Sequence, residues 1–86
     1  MIYKIDLNIT KVRQQLVNAH VSTYTSNTAV VFVEAVDPDD ACSQGIDELK
    51  VRVLESYNSA DVQKIVKTFD DKVSVKKIRK ISPYGK

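Results

Sequence analysis

The stretch TAVVFVEAV-DPDD-ACSQGIDELKVRVL, Thr28 to Leu54, decides the fold. It reads as a strand, a hard stop and an amphipathic helix that turns back over the strand. Ala29 to Val33 is an unbroken apolar run rich in β-branched and aromatic residues, the composition of a packed, pleated surface. A run with no polar alternation predicts a strand in the middle of a sheet, ending at Val36.

The stop is chemically specific. The Asp37 carboxylate can accept from a free N–H in the first helical turn. Pro38 then stands where a missing N–H costs nothing. Asp39 and Asp40 place negative charge at the positive end of the helix dipole. Beyond them, Cys42, Ile46, Leu49 and Val53 recur at helical spacing and predict one apolar face, with Ala41 and Gly45 beside it. Gly45 weakens a helix by roughly 1 kcal/mol against Ala, so its presence predicts close approach of the helix backbone to the sheet.

Working outward, Tyr3, Ile5, Leu7 and Ile9 alternate with Ile2, Lys4, Asp6 and Asn8, the period of a half-buried strand that can lie inside the sheet. Residues 11–20 carry two patterns. Val12, Leu16, Ala19 and His20 fit a helical face with Thr10 as its cap, while the Val and Thr content from Leu16 to Tyr24 fits a strand. The reading favours a strand from about Gln14 to Thr25, turning at Thr25-Ser26-Asn27-Thr28 into the central strand. Tyr57-Asn58 reads as the end of the long helix, with Asn as a left-handed cap. Ser59 reads as the cap of a second helix along Val62, Ile65, Val66 and Phe69, broken at Asp70-Asp71. Lys72 to Ser82 reads as a strand in which a bulge brings Val75 and Ile78 into one phase, with a last helix along Val75, Ile78 and Ile81 as the competing reading.

These pieces predict an α+β fold: an antiparallel sheet of three or four strands with two helices packed on one face. A ferredoxin-like sandwich, ordered β-α-β-β-α-α-β, is the alternative if Lys11–His20 is helical. The 86 residues, without repeat, linker or low-complexity segment, read as a single domain spanning residues 1–86. At 43% hydrophobic and 28% charged, the composition is that of a folded chain rather than a disordered one. No run is long and apolar enough for a membrane span, and MIYKIDLNIT lacks the pattern of a secretory signal. With one cysteine there is no internal disulfide, and the expected location is the cytoplasm.

Motifs for chemistry are sparse. One His and one Cys, His20 and Cys42, fall short of a structural zinc set. Asp37, Asp39 and Asp40 lack the glycine and the later glutamate of a calcium loop, and two glycines cannot build a phosphate cradle. The expectation is therefore a chain that is not an enzyme and holds no cofactor or metal. Cys42 is expected in the core rather than as a nucleophile.

Charge distribution is the distinctive feature. Residues 34–61 hold eight acids against two bases, a balance of −6; residues 72–86 hold six bases and no acid, a balance of +6. The net charge of +2 conceals this segregation, which can steer a charged partner. Lys76, Lys77, Arg79 and Lys80, with Tyr84 to stack on a base, are the candidate partner-binding residues. The same lysines could serve only to keep an edge strand from pairing. A strand ending Val33-Glu34-Ala35 before a capped acidic helix resembles many small accessory proteins of bacteria and their viruses, a pattern too short to name a family or transfer a site. The expected function is a small accessory module that binds a protein partner or itself, as a homodimer or larger oligomer. The alternative is a nucleic-acid-binding regulator using the basic strand; a small enzyme is the least favoured reading.

Overall fold

Strand β1, Ile2–Asn8, alternates as its sequence predicts and lies at the centre of the sheet. The computed structural model describes residues 1–81. Tyr3, Ile5, Leu7 and, just beyond the strand, Ile9 are buried, whereas Lys4, Asp6 and Asn8 reach the other face. β1 pairs antiparallel with β2, Thr28–Glu34, on one side and with β3, Ser74–Ile81, on the other. The sheet order is β2-β1-β3, with three strands among the described residues.

Between β1 and β2 runs a helix, α1, Thr10–Asn18, where the sequence favoured a strand. Val12 and Leu16 are buried on its inner face, so the helical period governs this segment and the β-branched residues that follow lie in a loop. No hairpin strand precedes β2. Instead Val21 is buried within the loop, and Asn27 C=O accepts from Ile9 N–H at 2.9 Å. The order is thus β1-α1-β2-α2-α3-α4-β3, which departs from the ferredoxin-like order because β2 runs straight into the Asp-Pro corner.

That corner behaves as its chemistry dictates. Asp37 Oδ1 accepts from Asp40 N–H at 2.8 Å, Pro38 opens α2, Pro38–Ser56, and Asp40 Oδ2 accepts from Val36 N–H at 3.4 Å and from Gln44 Nε2 at 2.8 Å. The three aspartates therefore sit at the helix start, two of them engaged in capping bonds. The buried stripe of α2 is Ala41, Gly45, Leu49 and Val53, one turn apart each; Cys42 and Ile46 flank it, half-covered, rather than forming its centre. A Cβ at Gly45 would lie 2.8 Å from Ile5 Cδ1 and 3.6 Å from Val31 Cγ2, so the helix backbone rides directly on β1 and β2.

α2 ends at Tyr57 in an extended conformation, not in a left-handed asparagine cap. Ser59 Oγ then accepts from Val62 N–H at 3.3 Å and starts α3, Ala60–Lys67. The break falls at Thr68, and Asp70 and Asp71 belong to a one-turn helix, α4, Phe69–Lys72, that buries Phe69. Lys50 Nζ ties α2 to α4 through Asp70 Oδ2 at 2.8 Å, and this hydrogen bond holds its ammonium above the usual lysine range. Buried residues of β1, β2 and helices α1 to α4 form one hydrophobic cluster.

The Gly45 contact yields a paired test. Gly45→Ala gains about 1 kcal/mol of helix propensity but drives a methyl into Ile5. Ile5→Val removes Cδ1 and, alone, costs about 1 kcal/mol. The double variant, measured by urea denaturation, should be more stable than the two single effects predict, with a coupling of about 1 kcal/mol. Strict additivity would show that Gly45 and Ile5 do not touch.

Candidate interaction surface on the outer face of the sheet

The residues that alternate away from the core form the outer face of the sheet. On β1 these are Ile2, Lys4, Asp6 and Asn8; on β2, Val30, Phe32 and Glu34. Phe32 is 52% exposed, and Ile2 and Val30 are each 38% exposed. The sequence predicted a strand in the middle of the sheet for Ala29–Val33. β2 is instead an edge strand whose odd residues fill the core and whose even residues meet solvent.

β3 delivers the basic residues through the bulge that its sequence predicts. Asp6 pairs with Lys77 and Leu7 with Val75, so Lys76 is the extra residue. The shift puts Val75 and Ile78 opposite Leu7 and Ile5, on the core side. Lys77 and Arg79 then fall opposite Asp6 and Lys4, on the outer face. Lys76 Nζ reaches Thr28 Oγ1 on β2 at 3.2 Å, which carries its ammonium across β1 at the Asn8 end of the sheet. Lys4, Asp6, Lys77 and Arg79 line a narrow cleft of about 100 Å³.

Two features of this face are electrostatically unfavourable on their own. Lys4 stands directly across from Arg79, and like charges in register destabilise a strand pair. Lys76 and Lys77 are adjacent at the bulge, with Asp6 the carboxylate opposite Lys77. Of the candidate residues, Lys76, Lys77 and Arg79 come together here. Lys80 pairs with the buried Tyr3 and so belongs to the opposite side of the strand, and Tyr84 lies outside the described residues. The sequence reading missed Lys4 and Phe32. Lys4 was legible as a polar residue of an alternating strand, but its neighbours depended on the strand order.

His20 has a structural task. It has φ of 68°, in the left-handed region, immediately beyond α1. Its N–H donates to Val17 C=O at 3.0 Å, and Val21 N–H donates to Leu16 C=O at 2.9 Å. These two bonds make a Schellman stop, and the burial of both Val21 and Leu16 supplies its hydrophobic contact. Histidine is one of the few non-glycine types enriched in this conformation. The depression that His20 lines with Arg13, Ser22 and Tyr24 does not include Cys42. Among the described residues no group of three or more His, Cys, Asp or Glu is placed to hold a metal ion, and no helix is long and apolar enough to cross a membrane.

Because left-handed backbone costs an L-residue roughly 1–2 kcal/mol, His20→Gly should leave the fold intact and raise its unfolding free energy by a few tenths to about 1 kcal/mol. Chemical denaturation followed by circular dichroism checks this; a loss of stability would mean that the imidazole itself is needed. Comparison with protein-family models, with curated proteins and with solved structures finds no match.

Proposed function

We propose that the chain is a small, non-enzymatic interaction module that works as an oligomer and binds a macromolecular partner. The helices gather on the inner face of the sheet, and the outer face is the contact surface. The observation that carries this reading is the register that sets Lys4 across from Arg79 beside Lys76 and Lys77. Stability alone gives no reason to hold these cations together, since they repel. An anionic partner relieves that repulsion. Exposed Phe32, Val30 and Ile2 on the same face add apolar surface of the kind found in the core of interfaces.

A nucleic-acid partner is the second reading, favoured by Phe32 standing opposite Lys4 and across β1 from Lys77 and Arg79. Phosphates would meet Lys4, Lys76, Lys77 and Arg79, and a base could stack on Phe32. Against it, among the described residues this face has one exposed aromatic ring rather than the two or three of an RNA-binding sheet. Asp6 and Glu34 also place negative charge among the cations. An acidic protein surface meets the same features without requiring stacking.

The test is binding to a heparin column and to a labelled single-stranded oligonucleotide at low salt. The module should bind heparin, and the triple variant Lys76→Glu, Lys77→Glu, Arg79→Glu should elute at much lower salt with an unchanged circular dichroism spectrum. Unchanged elution of the variant would remove this face as the contact surface. For the oligonucleotide, contacts to three or four phosphates give a slope of roughly −2 to −3 in log K against log salt. Absence of oligonucleotide binding at low salt would eliminate the nucleic-acid reading and leave the acidic-protein one.

A further inference from the structure

We infer that the free edge of β2 is a self-pairing edge: two copies join β2 to β2, antiparallel about a two-fold axis through Phe32, into one six-stranded sheet. This deepens the interaction-module reading by naming the oligomer's interface, and it does not rest on what the basic face binds.

The phase of the backbone fixes which groups are free. Ile9 N–H donates to Asn27 C=O and Ala35 N–H to Met1 C=O. In an antiparallel ladder bonded and non-bonded pairs alternate, so the odd residues of β2 bond to β1. Thr28, Val30, Phe32 and Glu34 therefore aim their N–H and C=O groups away from β1, where no strand pairs with β2 among the described residues. Both ends of this edge are sealed. Ser26 Oγ accepts from Thr28 N–H at 3.3 Å and donates to Thr28 C=O at 2.9 Å. At the far end Asp40 accepts from Val36 N–H. Between them Arg52 Nη1 donates to Val30 C=O at 3.1 Å. The open window is the Val30 N–H and both backbone groups of Phe32 and Glu34. It is centred on Phe32 and has the length of a short strand pairing.

The two edges of the sheet differ in a way that single-copy stability does not explain. β3 carries a bulge and the cations Lys76, Lys77, Arg79 and Lys80, the devices that stop edges from pairing. β2 carries none of them: from Ala29 to Val33 it has no charge, and its exposed side chains are Val30 and Phe32. Its composition is that of a strand with neighbours on both sides, while the described residues supply a neighbour on one.

A second copy fits this window in one register. A two-fold at Phe32 pairs Phe32 with Phe32 of the second copy and Val30 with its Glu34. The two phenylalanines then meet on the outer face, each covering the other. Glu34 of each copy then stands beside Val30 of the other on the outer face, while Arg52, from the side of α2, donates to the Val30 C=O. That carbonyl keeps a second lone pair for the Glu34 N–H. Pairing through β3 would instead oppose rows of lysines.

The measurement is solution mass by sedimentation from about 1 to 200 µM for the wild type and for Phe32→Pro. The wild type should reach twice the 9.7 kDa of the chain. Phe32→Pro deletes an outward N–H that β1 does not use, and should stay monomeric with a native circular dichroism spectrum. If Phe32→Pro fails to fold, Phe32→Lys, which sets two ammonium groups at the axis, should raise the dimer dissociation constant at least about tenfold. A wild type that stays monomeric throughout, or a dimer that neither substitution weakens, overturns the inference. A wild type that dimerises but does not bind heparin would sink only the reading of the basic face.

Discussion

The structure depends on how closely the backbone of α2 lies on the sheet. A methyl group at Gly45 would lie 2.8 Å from Ile5 Cδ1, so it fits only if the end of the Ile5 side chain moves. That approach lets Leu49 and Val53, one and two turns on, reach full burial, and it closes the cluster over β1 and β2. A chain of 86 residues has little apolar surface to spare. The long helix, started by the Asp37–Asp40 cap and Pro38, is its largest single source of cover.

From that constraint the exposed chemistry follows. With α2 on the side of Ile5 and Val31, the even residues of β1 and β2 are left to solvent. β3 returns to the far side of β1, and its bulge turns a basic sequence into a basic patch. Without the extra residue at Lys76, Val75 and Ile78 could not both face the core. Core packing and cation placement are thus two results of one irregularity. The edge on the other side, β2, is left with an apolar strand and little protection.

Much of this was legible in the chain. The Asp-Pro corner, the long helix, the Ser59 cap, the alternation of β1 and the bulge in β3 each rest on local chemistry that tertiary context did not override. What was not legible has a common cause. The segment from Gln14 to Thr25 misled because Val and Thr content weighs on strand propensity, whereas Val12 and Leu16 decide by packing at helical spacing. His20 gave no sign as a helix stop because glycine usually takes that role. β2 looked central because composition reports how apolar a strand is, not which neighbours it has. For the same reason the contact surface was only half visible: the basic residues of β3 stood out, but Lys4 and Phe32 join them only through strand order.

Amide hydrogen exchange tests the central claim most directly. β1 is bonded on both sides and, at Ile5, lies beneath α2 at Gly45. Its Tyr3, Ile5 and Leu7 amides, with those of Leu49 and Val53 in α2, should form the slowest class. Their exchange should require global unfolding and report the free energy found by denaturant titration. Rapid exchange of Ile5 and Leu7 while α2 stays protected would contradict the account, because the helix would then hold together without the strand it is said to rest on.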